Sequence, residues 1–318
     1  MAIALRTFAD SAVNRQLLNE IPARFQQLVD GNEIPGAVLL LVHQGEPVLL
    51  RSVGYQRLDT RQPMRTDSIF QIMSMTKPVT AAAVMILVEQ GKVVLTDPVE
   101  KNLPEFRDQA GHIVEVVSGE PYEKFVAERI LLPLGMKDSF FFPDERRIPR
   151  IAALYRAQDG SFVSPGGNVL GGDPDKFRKG AKYSAPEFGL YSTAADLAAF
   201  YQIMLNGGTY EGKKLLSSSS VAAMTSVQTG SMETKDLGFG TGLGFMVAKD
   251  PNAGLDLLSP GSFGHAGAFG TWVFADRSKD LIGVVLIQLT GPNNVLAQHV
   301  FTAMVNAAIV RPDASMQH

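Results

Sequence analysis

The chain has no cysteine, which excludes disulfides, thiolate nucleophiles and every cysteine-ligated metal or iron–sulfur centre. It also lacks a charge excess, with 29 basic against 32 acidic side chains and a net −3, too even for a nucleic-acid-binding surface. No apolar run approaches the ~20 residues of a membrane span; the longest strongly apolar stretch, Ala37 to Val42, is strand-sized. The apolar start Met1 to Leu5 is cut off by Arg6, short of a signal-peptide core, so a cytoplasmic location is expected. Also missing are a Gly-x-Ser-x-Gly elbow, a His-Glu-x-x-His zinc helix, a P-loop and a Gly-x-Gly-x-x-Gly turn between strand and helix. No nucleic-acid or membrane partner, no metal and no cofactor is expected.

What is present is an ordinary globular composition: 318 residues, 45% apolar and 19% charged, enough to bury a sizeable core unaided. Val13, Leu17, Leu18, Ile21, Phe25 and Leu28 recur at helical spacing over residues 8 to 30, with Pro22 as a kink point and Gly31 as the stop. Two β-rich runs follow, Ala37 to His43 and Pro47 to Val53, joined by Gln44-Gly-Glu46 as a hairpin. Met73 to Gln90 reads as a long helix, Asp97 to Asn102 as a short one, and His112 to Val117 and Tyr122 to Ile130 as two more. Residues 157 to 188 are glycine-rich and irregular, the kind of loop that walls a site. Thr193 and Asp196 open a helix that ends at Asn206-Gly-Gly208, and Ser217 caps another. β-patterned runs then cover Leu243 to Ala248, Gly264 to Ala275 and Leu281 to Leu289, with a closing helix over Asn294 to Val310. The glycine-rich Gly238 to Phe245 reads as shaping a strand entry.

Strands at both ends with terminal helices beside them predict an α+β fold, an antiparallel sheet flanked by N- and C-terminal helices. Residues 1–73 with 232–318 form one discontinuous domain in this reading, interrupted by the mostly helical, loop-rich 74–231.

The sharpest chemical feature is Ser74-Met-Thr-Lys77. Three residues make about one helical turn, so hydroxyl and amine share a face and the lysine can take the serine's proton. A serine at a helix start also has an orphan N–H that can help hold an oxyanion. Lys77 must lose basicity through burial or a nearby cation to act at neutral pH. No other serine in the chain has lysine at the third following position.

The segment Phe70-Gln-Ile-Met-Ser-Met-Thr-Lys-Pro-Val-Thr80 resembles the nucleophile region of class C β-lactamases and family VIII carboxylesterases, which share the penicillin-binding-protein fold. The resemblance continues in order through Gly91 to Val99, Ile113 to Gly119, Leu132 to Lys137, Gly189 to Thr193 and Gly264 to Gly270. It implies that Ser74 is the nucleophile, Lys77 its base, and that Ser74 and Ala268 supply the oxyanion donors. His265-Ala-Gly267 occupies the place of the family's Lys-Thr-Gly triplet, with His265 lining the pocket and Gly267 letting a substrate backbone lie close. Histidine there favours esters over β-lactams, because a mostly neutral ring offers no fixed charge for a carboxylate. His43, His112, His299 and His318 read as structural or surface residues.

One family element is missing in order. A Tyr-x-Asn or Tyr-x-Ser motif belongs between Val99 to Gln109 and Gly111 to Gly119, yet those segments nearly abut, so the chain is shortened near 107–112. Tyr183 and Tyr191 are the candidate substitute bases, and Tyr122 reads as a helix residue. The shortening removes cover from the nucleophile helix, so exposed apolar area or homodimerisation is expected. The leading expectation is a serine hydrolase acting on short-chain carboxylic esters, with a small-molecule ester or amide as its partner. A second is a non-catalytic relative that binds a ligand or partner on the same fold; β-lactam or D-amino-acid peptide hydrolysis stays open within the first class.

Overall fold

In the computed structural model, residues 13–97, 110–166, 181–230, 238–249 and 257–309 are described. The helix expected over Asp97 to Asn102 falls almost wholly outside them, as does the first half of the stretch 107–112 where the chain is expected to be shortened. The side chain of Asn14 caps α1 (Arg15–Asp30) by accepting from Leu17 N, and the helix runs unbroken through Pro22. β1 (Gly36–His43) and β2 (Glu46–Arg57) form the expected hairpin, reversing at Gln44 and Gly45, both at positive φ. After β3 (Gln62–Pro63) and β4 (Phe70–Gln71), a 3₁₀ turn at Met73–Met75 leads into α2 (Thr76–Glu89). Then come α3 (Ala110–Ser118), α4 (Tyr122–Val126), β5 (Tyr155–Gln158), β6 (Ser161–Val163) and β7 (Tyr191–Ser192). Thr193 caps α5 (Ala194–Leu205) through Asp196 N, as the sequence predicts. The hairpin β8 (Thr209–Tyr210) and β9 (Lys213–Lys214) precedes α6 (Ser218–Met224), which Ser217 caps.

The chain closes with β10 (Phe239–Thr241), β11 (Met246–Ala248), β12 (Phe263–Ala266), β13 (Trp272–Asp276), β14 (Leu281–Leu286), β15 (Leu289–Thr290) and α7 (Pro292–Ala308). Two expectations are corrected here. The run from Gly264 to Ala275 is two strands, because the turn at Gly267–Gly270, with Gly270 at φ +86°, reverses the chain within it. The segment from Gly238 contains a strand of its own, β10, paired with β11.

Eight strands form the main sheet in the order β10-β11-β12-β13-β14-β1-β2-β3, every pairing antiparallel. β1 is buried along its whole length because both faces are covered. Ala37, Leu39 and Leu41 pack with Phe25 of α1 and Phe301 of α7, whereas Val38, Leu40 and Val42 pack with α2 and α5. This is the α+β fold, an antiparallel sheet flanked by N- and C-terminal helices, that the sequence predicts. Val116 on α3 and Leu132 beyond α4 are well exposed, at 59% and 66%. Among the described residues no helix is long and apolar enough to cross a membrane.

Candidate active site

Ser74 sits in the 3₁₀ turn and Lys77 in the first turn of α2, and Lys77 Nζ lies 2.7 Å from Ser74 Oγ. The turn is strained: Met73 has φ +51°, a left-handed conformation that costs a non-glycine residue about 1–3 kcal/mol and persists only where its surroundings impose it. Here they do. Thr76 Oγ1 donates to Met73 O at 2.7 Å, Leu190 N donates to the same Thr76 hydroxyl, and Ile72 N donates to Leu190 O. Lys77 Nζ also donates to Glu187 O at 3.3 Å. Partial burial holds the Lys77 amine below the ordinary lysine range, opposed by the nearby Glu187 carboxylate.

β12 delivers the second wall. Gly267 ends it so tightly that a Cβ would stand 2.3 Å from Ile72 O and 2.1 Å from Thr271 Oγ1, so no side chain fits. Thr271 Oγ1 itself donates to Ile72 O at 3.1 Å, tying the β12–β13 turn to the nucleophile turn. Ala268 lies exposed in that turn, its carbonyl held by Asn294 Nδ2 at 3.0 Å. Among the described residues neither Ser74 N–H nor Ala268 N–H makes a hydrogen bond, which leaves both free for an oxyanion. The ring of His265 is half-buried, and its Nδ1 lies 2.7 Å from Ala266 O. Desolvation pushes its pKa down to about 4, and the Lys77 charge adds to that effect.

The tyrosines part ways. Tyr191 is buried in an apolar cluster with Ile69 and Ile151, and its ring stacks on Phe140 at 5.5 Å. Tyr183 is 44% exposed in the loop ahead of β7 and close enough to raise the pKa of Tyr122 slightly. Tyr122 does more than the sequence suggests. Its hydroxyl lies 2.6 Å from Thr80 Oγ1, one turn beyond Lys77. Thr80 donates to the carbonyl of Pro186, so Tyr122 is the donor to Thr80, and burial pushes its phenol far above the ordinary range. The backbone carbonyls of Glu187 and Pro186 escape sequence reasoning because a carbonyl leaves no residue signature; the irregular composition of the loop is the only hint.

A cavity of about 850 Å³ opens elsewhere, lined by residues including Lys249, Gly261 and Arg277; Arg277 lies over Phe263, at the opposite end of β12 from Ala266. Among the described residues no cluster of His, Asp or Glu could hold a metal.

The protein-family model described as Beta-lactamase matches residues 21–112 and 108–303, two stretches that overlap at residues 108–112. Protein Rv1367c of Mycobacterium tuberculosis (strain ATCC 25618 / H37Rv) is 26% identical, covering 84% of this chain and 88% of its own. That alignment runs over 365 positions, more than the chain has residues, so the relative carries residues absent here. Esterase EstB of Burkholderia gladioli is 36% identical over 106 residues, 33% of this chain and 27% of its own. Among solved structures, EstCE1, a hydrolase with promiscuous acyltransferase activity, superposes with a TM-score of 0.79 at 18% identity, covering 92% of this chain and 98% of its own.

Proposed function

The chain belongs to the beta-lactamase family, and on that premise we propose that it is a serine hydrolase of short-chain carboxylic esters, working through an acyl-enzyme on Ser74. The observation that carries this reading is the 2.7 Å contact between Ser74 Oγ and a partly desolvated Lys77 amine. A neutral Lys77 donates one N–H to Glu187 O and offers its lone pair to the Ser74 hydroxyl. Ser74 Oγ then attacks the ester carbonyl while Lys77 takes its proton. The N–H groups of Ser74 and Ala268 hold the developing oxyanion, and Lys77 returns the proton to the departing alcohol.

Ester over β-lactam selectivity follows from His265. A ring with its pKa near about 4 is uncharged at neutral pH, so the strand that would meet a β-lactam carboxylate offers it no fixed cation. The esterase relative points the same way. With no tyrosine in the family's place, esters of good leaving groups are turned over best, since these need little protonation.

Intact-mass analysis after brief exposure to p-nitrophenyl butyrate tests the reading. A butyryl adduct is expected on the wild type and on neither Ser74→Ala nor Lys77→Ala. No adduct on folded wild-type protein would refute it and leave the non-catalytic, ligand-binding reading. Faster hydrolysis of nitrocefin than of short p-nitrophenyl esters would refute the ester preference.

A further inference from the structure

Deacylation needs a group to take a proton from water. The tyrosine hydroxyl that contacts α2 is already engaged: Tyr122 donates to Thr80, and its phenol is buried. His265 differs in keeping one ring nitrogen available. Phe263 belongs to the core beneath α2 and α5, while Ala266 packs on the opposite, α1–α7 side. Alternation along β12 therefore sets His265 on the same face of the sheet as the nucleophile helix. Gly267, two residues on, is pressed against the carbonyl just before the nucleophile turn, and the Lys77 charge is felt at the imidazole. A backbone carbonyl can only accept, so the 2.7 Å contact with Ala266 O fixes the proton of the neutral ring on Nδ1. That leaves Nε2 as an unprotonated acceptor on a half-buried ring.

We propose that His265 Nε2 is the general base of deacylation, in the role for which the order of this chain provides no tyrosine; the proposal rests on the Ser74 acyl-enzyme described above. Water attacks the acyl carbonyl carbon as Nε2 takes one of its protons, and the tetrahedral oxyanion forms on the Ser74 and Ala268 N–H groups. Collapse breaks the bond to Ser74 Oγ, which receives the proton back from the imidazolium, releasing the carboxylic acid and restoring the free hydroxyl. Among the described residues, the other titratable groups around this end of the site include Lys77 on α2, Glu187 and Tyr183 on the preceding loop, and Tyr201 on α5 beneath Phe263.

The test separates acylation from deacylation with p-nitrophenyl butyrate. His265→Asn keeps an amide N–H near the Nδ1 position for Ala266 O and deletes Nε2. Its first-turnover burst is expected to stay within about threefold of the wild type. Its steady-state rate is expected to fall by roughly 10²–10⁴-fold, with butyryl-Ser74 accumulating and added imidazole restoring turnover. On the wild type, deacylation is expected to hold constant below neutrality and to decline only as pH falls towards about 4, where the ring becomes protonated. His265→Asn deacylating at the wild-type rate would overturn the proposal, as would a defect that appears with Tyr183→Phe and not with His265→Asn. Wild-type protein that never acylates would instead sink the underlying hydrolase reading, so the two failures are distinguishable.

Discussion

Adding one methyl group at Gly267 is expected to impair chemistry more than folding. The φ of Gly267 is not in the left-handed region, so the obstacle is space alone. A Cβ there would stand 2.3 Å from Ile72 O, while ordinary contact begins at 3.4 Å. The end of β12 must therefore retreat from the nucleophile turn by about 1 Å, taking Ala268 and its N–H with it. A shift of about 1 Å costs roughly 10²-fold in rate when it misplaces a group aimed at the reacting atoms. Overpacking costs typically about 1–3 kcal/mol, and loss of the Thr271 Oγ1 bond to Ile72 O adds about 1 kcal/mol. Gly267→Ala should thus remain folded with a lowered Tm while its burst rate constant with p-nitrophenyl butyrate falls roughly 10²-fold. Gly45→Ala is the control: its φ of +75° strains any side chain but nothing lies within 4 Å, so it should lose stability and acylate normally. A Gly267→Ala enzyme that acylates at the wild-type rate would show that this strand end does not wall the site.

Three further outcomes can be measured directly. Because the Lys77 amine titrates below its ordinary value of 10.5, acylation should rise with pH through an inflection below that value, and an inflection at or above it would refute Lys77 as the base. Tyr122→Phe should lower stability by about 1 kcal/mol in urea unfolding yet leave both acylation and deacylation intact; a tenfold or greater rate loss would bring its hydroxyl into the mechanism. Asp196, half-buried at the start of α5, has its pKa raised to about 6 by desolvation against its bonds from Ser139 Oγ and Asp138 N. A group bound more tightly to its proton when folded favours the native state below its unfolded value of 3.8, and that contribution is lost as pH rises through about 6. Asp196→Asn should therefore flatten the dependence of stability on pH between those values, and an unchanged slope would refute the shift.

The elements legible in the sequence were those set by local rules. The helix cap at Thr193 needs only its own hydroxyl and the N–H of Asp196, and the hairpin of β1 and β2 needs only apolar runs around Gln44-Gly45. The Ser74–Lys77 contact was likewise readable, since one helical turn determines it. What stayed hidden depends on distant residues. Gly264 to Ala275 looked continuous because apolar content alone does not mark a reversal, which becomes evident only when Gly267 meets Ile72 and Gly270 meets Ile287. The engagement of Tyr122 with Thr80 joins residues 42 positions apart, and the proton position on His265 depends on a neighbouring carbonyl. Sequence spacing carries neither.

The position of β1 has a consequence for how the protein comes into being. Its two neighbours are β2, which follows at once, and β14, which is made much later; Val38 pairs with Leu286. This apolar interior strand must wait, half-paired, while the helices and loops between are translated. Ser74 waits with it, since the strand that walls its pocket also arrives late. Pairings so remote in sequence are slow to form and expose sticky intermediates. Maturation of this chain is thus expected to be all or nothing, with competence for chemistry and dependence on chaperones both decided only once β12 to β14 have been made.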